Sequence, residues 1–293
     1  MIPLKDNIPT DRFPVITVAF IVINVLFFVW QITFPTDKEL SDPPLSFSSI
    51  DQSSLEYGAI PYRITHPDQP DDCALGAVGT ANSQNQFEAG VVCPGTKEYD
   101  EAIAVAADNP GSDLEPIPID QAPWYVTIFT SMFMHGGLLH IAFNMLFLWV
   151  FGNNIEDSMG RVKFVFFYLA AGLVALYSQA AIDVTSTVPT IGASGAVAGV
   201  LGAYALLHPS ARVLTLIILI FFVTLVEIPA LIMLGIWFVL QFIPAVADAT
   251  SVGAGQEGGV AYLAHVGGFL FGLATIKLLA NKRRDPEPRL PAY

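Results

Sequence analysis

Two residues in this chain could do nucleophilic chemistry together: Ser194, within Gly192-Ala193-Ser194-Gly195, and His265, within Ala264-His265-Val266-Gly267-Gly268. A serine hydroxyl becomes a nucleophile when a neighbouring base takes its proton, and histidine is the usual base near neutral pH. His66 falls in a hydrophilic stretch and His208 at the far end of the serine's own apolar run, which leaves His265 as the better partner. His140 and Asn144 lie in another apolar run and could, with the backbone N–H of Ser194, donate hydrogen bonds to a developing oxyanion. The three runs that carry these residues hold no carboxylate, so the arrangement expected is a Ser–His dyad. Singly, a serine at a helix start is most simply a cap or a packing residue, and a buried histidine a proton relay or a packing group. Their concurrence with Asn144 and His140 argues for a site.

Helices in a membrane would have to position these groups. The chain is 53% hydrophobic and only 13% charged, with several near-uncharged runs of spanning length. The fold class expected is therefore an all-α polytopic membrane protein. Spans are expected at 13–34, from Leu138 to Phe151, from Phe164 to Ile182, from near Ala193 to before His208, from Ala230 to Val246, and from Val260 to about Ala280. Gly152-Asn153-Asn154 should close the second, with Glu156 and Asp157 in the connection after it. Val213 to Thr224 reads as a membrane-buried or interfacial lead-in, and splitting the 213–243 region into two spans is the alternative.

Orientation follows from lysine and arginine. With the amino terminus inside, ten basic residues fall on the inner side and only Lys38, Arg63 and Lys97 outside. This supports six spans with a cytoplasmic segment 1–12, an external loop 35–136, helices two to six within 137–280 and a basic cytoplasmic tail 281–293. The second, fourth and sixth spans then all run inward. Ser194 lies a residue or two into its span and His265 about 7 Å into its own at the helical rise; His140 and Asn144 are similarly shallow. All four groups fall in the outer half of the membrane. Gly195 and Gly199 on one span, and Ala264, Gly268 and Gly272 on the other, form small-residue faces that let helices approach closely.

The net charge of −13 belongs to the external loop, where Asp37 to Asp120 holds sixteen acidic against three basic side chains; the rest of the chain balances. The charge thus speaks to topology and gives no indication of nucleic acid. Within the loop, Pro67 to Gln121 reads as a mostly irregular hydrophilic insert. It holds both cysteines, Cys73 and Cys93, and a single disulfide is the reading if it faces an oxidising compartment, two free thiols the alternative.

Together, His140-Ile141-Ala142-Phe143-Asn144, Gly192-Ala193-Ser194-Gly195 and Ala264-His265-Val266-Gly267-Gly268 resemble the ordered motifs of the rhomboid family of intramembrane serine proteases. The resemblance extends from Met134-His135-Gly136-Gly137 to Gly272 and takes in Gly152-Asn153-Asn154-Ile155-Glu156-Asp157. Tyr57-Gly58-Ala59-Ile60-Pro61 is similar to the start of the family's first external loop. The resemblance implies a six-helix rhomboid-type bundle in which Ser194 is the nucleophile, His265 the general base, and Asn144 and His140 parts of the oxyanion hole. It implies transmembrane protein substrates that enter laterally from the bilayer and unwind near the site, with a small residue before the scissile bond. The Gly-rich loop Ala247 to Gly259 would be a mobile cap. In this chain the first loop is enlarged, and Ala198 stands where some members place an aromatic that stacks on the catalytic histidine.

No cofactor or metal is expected, since no metal-ligand spacing such as HExxH appears. The alternatives are a catalytically inactive rhomboid-like binder of membrane proteins and a proton-coupled transporter, which would explain buried histidines but not the GxSG element. Charge balance outside the insert favours a prokaryotic plasma membrane, with the active site opening outward. No oligomeric state follows from the sequence.

Overall fold

The computed structural model describes residues 2–37, 47–68, 73–78, 88–108, 115–219, 222–250 and 261–281. In chain order its elements are β1 (Ile2–Asp6), α1 (Val15–Ile32), α2 (Ser49–Tyr57), α3 (Pro61–Thr65), β2 (Ala74–Val78), β3 (Glu88–Val92), α4 (Lys97–Asp108) and β4 (Ile117–Pro118). There follow α5 (Trp124–Thr130), a 3₁₀ turn (Ser131–Phe133), α6 (Leu138–Met159), α7 (Arg161–Ile182), α8 (Ser194–Leu207), β5 (Arg212–Leu219), β6 (Phe222–Pro229), α9 (Ala230–Thr250) and α10 (Tyr262–Leu279). The chain forms two compact units: Met1–Phe27 with Gly137–Gln179 and Gly192–Tyr293, and Phe28–Gly136 with Ala180–Ile191.

Among the described residues, four helices are long and apolar enough to cross a membrane, α1, α6, α7 and α10, and Ser194–Leu207 and Ala230–Val246 are shorter apolar helices. Large apolar side chains such as Val162, Phe166, Leu240 and Ile243 project outward along them. Helices satisfy their own backbone groups, and side chains of this kind need a hydrocarbon surrounding. The protein is an integral membrane protein.

The first unit is built on close helix contact. A Cβ on Gly268 would land on the backbone carbonyl of Gly195, one on Gly272 on that of Gly199, and one on Gly202 on that of Phe269. Only glycine lets α8 and α10 touch backbone to backbone, and the gain is dense packing that lipid cannot replace. The opposite face of α8 meets α7, where Ala175 and Ala171 stand against Gly195 and Gly199. Tyr168, Tyr204, Phe151, Phe164 and Leu201 fill the core, with Phe20 stacked on Tyr168 at 4.2 Å between ring centroids.

Three readings of the sequence are corrected here. The protein is mostly helical rather than all-α: β1, β5 and β6 form one antiparallel sheet in the order β1-β5-β6, and β3, β2 and β4 another. Within the expected membrane-buried or interfacial lead-in Val213 to Thr224, the described residues 213–219 and 222–224 are therefore strand. Their β-branched members (Val213, Thr215, Ile217, Ile218, Val223, Thr224) suit a pleated surface, and an open sheet edge is incompatible with hydrocarbon. The second helix does not close at Gly152 but continues to Met159, past Glu156. The Glu156 carboxylate is buried and accepts from Thr17 N at 2.8 Å, Thr17 Oγ1 at 2.8 Å and Ile16 N at 3.1 Å. It thus satisfies donors at the start of α1 that have no partner within their own helix.

The third correction concerns the second unit, whose insert, read as mostly irregular, holds three strands and a helix among its described residues. Strands β2 and β3 pair from Ala74↔Val92 to Val78↔Glu88, and β4 pairs on the other edge of β2. Leu75 packs with Leu55 and Ile119, and Cys73 and Cys93 are joined in a disulfide beside Ile60 and Tyr62. Gly76 has no side chain because Ala102 of α4 and Val92 leave no room for one. In Tyr57-Gly58-Ala59-Ile60-Pro61, Ala59 and Ile60 are fully buried and Ala59 bridges Thr190 through both backbone bonds. Residues 251–259 of the expected cap, 282–293 of the basic tail, and 69–72, 79–87 and 109–114 of the insert lie outside the described residues.

Candidate active site

All the residues singled out for chemistry fall in the first unit. Ser194 is the first residue of α8, immediately after Ala193, which occupies the N-cap position and makes no side-chain capping bond. The ordinary use of a serine at a helix start is thus not the one made here. Instead, Ser194 Oγ lies 2.7 Å from His265 Nε2. His265 sits in the first turn of α10, and the glycine seam between α8 and α10 brings the two helices near enough for these side chains to meet.

The glycines before and after the serine have separate physical roles. Gly192 has φ +132°, in a region that residues with a Cβ rarely adopt. A Cβ there would sit 3.0 Å from His140 Cε1, 3.1 Å from His140 Nε2 and 3.3 Å from Ser194 Oγ. His140 of α6 and the serine hydroxyl thus border one small space, kept open by the missing side chain. Gly195 belongs to the helix seam, against Ala175.

Asn144, one turn after His140 on α6, is buried with 7% of its surface exposed. Its Nδ2 has no hydrogen-bond partner among the described residues. A buried donor left unsatisfied costs free energy in the resting protein. It is the kind of group that an acceptor arriving during a reaction would engage.

Two contacts of His265 were not apparent in the sequence. His265 Nδ1 lies 2.7 Å from Gln241 Oε1 of α9. One turn earlier on the same helix, the Trp237 ring stands 6.0 Å from the imidazole, centroid to centroid. The available signal was slight: Gln241 is the one amide side chain in the apolar run Ala230 to Val246, four residues after its tryptophan. A third missed residue is Gln179 of α7, whose Oε1 accepts from Ala264 N at 3.3 Å and so satisfies a donor in the first turn of α10.

The fold and this constellation define a helical integral membrane protein with a serine and a histidine in hydrogen-bond contact between two closely packed helices. The Rhomboid domain family model matches residues 123–282, and the chain belongs to the rhomboid family. It is similar to Rhomboid protein 1, mitochondrial, of Saccharomyces cerevisiae, at 30% identity over 152 residues covering 50% of this chain and 40% of that protein. It is also similar to Rhomboid protease GluP of Bacillus subtilis, 40% identical over 85 residues, 29% of this chain and 16% of the relative. The Presenilin-associated rhomboid-like protein, mitochondrial, of Mus musculus is 37% identical over 84 residues, 28% and 22% of the two chains. The chain thus spans less than half the length of each of these relatives.

Proposed function

We propose that this protein is an intramembrane serine endopeptidase that cleaves transmembrane segments of other membrane proteins with a Ser194–His265 dyad. The observation that carries the reading is the 2.7 Å approach of Ser194 Oγ to His265 Nε2 in a membrane-embedded bundle. In the reaction, His265 Nε2 takes the hydroxyl proton as Oγ attacks the scissile carbonyl carbon. The carbonyl oxygen becomes an oxyanion that accepts hydrogen bonds from Asn144 Nδ2, the Ser194 N–H and His140. The imidazolium then gives its proton to the leaving amine, and water resolves the acyl-enzyme by the same steps. The idle buried donor on Asn144 supports this role, as does the open space between His140 and the serine.

We extend the proposal to topology. Six spans are read from α1, α6, α7, α8, α9 and α10, with both termini on the cytoplasmic side, 35–136 as the large external loop and 137–280 as the catalytic core. Members of the family are generally serine intramembrane proteases, and one of the relatives bears the name protease. Others are named mitochondrial, so we propose the membrane setting without the expected prokaryotic plasma membrane.

The deciding experiment is labelling of the detergent-solubilised protein with a fluorophosphonate, followed by mapping of the modified peptide. Labelling at Ser194, abolished in Ser194→Ala and His265→Ala, is the expected result. Cleavage of a reconstituted transmembrane reporter that persists in Ser194→Ala would overturn the assignment.

A further inference from the structure

We propose that Gln241 is a positioning residue for His265: its side-chain oxygen holds the imidazole by Nδ1 and keeps a proton there, so that Nε2 is free to take the proton of Ser194. The proposal rests on the serine-hydrolase reading above. The imidazole is held at both nitrogens, with Gln241 Oε1 2.7 Å from Nδ1 and Ser194 Oγ 2.7 Å from Nε2. An amide oxygen can only accept, so the nitrogen that faces it must carry the hydrogen. A neutral imidazole has one such hydrogen, and Nε2 is then left as the acceptor that a general base requires.

The surroundings of Gln241 fit this use. Helix α9 packs against α10, while Val239, Leu240, Phe242 and Ile243 beside Gln241 are exposed on its outward face. Gln241 and Trp237 share the i, i+4 face that meets His265, and both Trp237 and Phe238 pack against Phe269 one turn below the histidine. The glutamine would be a costly polar group in so apolar a helix without a partner, and His265 is that partner. Trp237 limits the tilt of the ring, and Gln241 fixes its rotation. When His265 takes the serine proton the imidazolium carries hydrogens on both nitrogens, and the bond from Nδ1–H to Gln241 Oε1 becomes charge-assisted. A neutral amide does this without placing a second ionisable group in the membrane.

The test uses the full-length protein in proteoliposomes with a transmembrane reporter, Gln241→Met to keep the volume and remove the acceptor, and Gln241→Glu to restore an acceptor oxygen. Gln241→Met should lower kcat and the rate of fluorophosphonate labelling at Ser194 by about ten- to a hundredfold, with KM within about twofold. Gln241→Glu should recover most of the loss. In the unmutated protein, ¹⁵N spectra of His265 in its neutral form should show the proton on Nδ1. A proton on Nε2 would overturn the proposal even if neither variant folds. So would wild-type kcat and labelling in Gln241→Met, a loss confined to KM, or no recovery in Gln241→Glu. An unmutated protein that neither labels at Ser194 nor cleaves would instead overturn the hydrolase reading, while the tautomer of His265 would still be read.

Discussion

Asn144 and Gly192 state most plainly what this site asks of single residues. Asn144 keeps a buried amide donor without a partner among the described residues, which no stability argument favours. If it serves the oxyanion, Asn144→Ala should leave folding intact and slow reporter cleavage by about 10²- to 10³-fold in kcat. Gly192 combines φ +132° with a gap that a Cβ would close. Gly192→Ala is therefore expected to depress fluorophosphonate labelling of Ser194 much more than it lowers the unfolding temperature; equal losses in both would show that the glycine serves the fold alone.

At the scale of elements, the seam between α8 and α10 decides whether the proposed chemistry can occur at all. Gly272→Val would drive its side chain into the backbone at Gly199, which no rotamer relieves. The helices would have to separate, so we expect destabilisation of about 1–3 kcal/mol or more in a denaturation series, together with loss of labelling at Ser194. A second element-level device is the anchoring of β1. Asp6 Oδ2 accepts from the Tyr204 hydroxyl at 2.5 Å and from Asn154 Nδ2 at 2.6 Å. Burial outweighs these bonds and raises the Asp6 carboxyl from 3.8 to about 6. The folded state thus holds this proton more tightly than the unfolded one. Its contribution to stability is fully present below about pH 4 and is lost as pH rises through 6, with a slope of about 1.4 kcal/mol per pH unit in between. Asp6→Asn should flatten that part of the stability–pH curve, measured by thermal unfolding between pH 4 and 7.

The whole molecule joins a small-residue helical unit to a second unit that holds its own sheet and disulfide. The Cys73–Cys93 bridge has a sequence separation of 20, and closing a loop of that length removes about 3 kcal/mol worth of freedom from the unfolded chain. Reduction, or Cys73→Ser with Cys93→Ser, should therefore make the region from β2 to β4 the first to yield to protease. Equal protease resistance with and without the bridge would refute the idea that it stabilises this unit. The acidic balance of the same stretch had suggested an irregular insert, because charge and proline obscure a short period-2 pattern. The core that orders it is small, and comes from pairing residues far apart in the chain: Leu55, Leu75 and Ile119.

The sequence alone determined what depends on local composition and spacing. Apolar runs marked the long helices, and rare polar groups within them made Ser194, His265, Asn144 and His140 the candidates for a site, because polar side chains are costly in hydrocarbon and stand out there. Tertiary structure alone decided what depends on which elements become neighbours. The β-branched run from Val213 to Thr224 suits a strand as readily as an apolar helix until partners fix its hydrogen bonds: β5 pairs with β6, next in the chain, and on its other edge with β1, some two hundred residues earlier. Glu156 looked like a residue of a connection because its use, at the start of α1, is made by folding. Gln241 was one amide in an apolar helix. Only the packing of α9 on α10 brings its oxygen to the far side of the imidazole that faces Ser194.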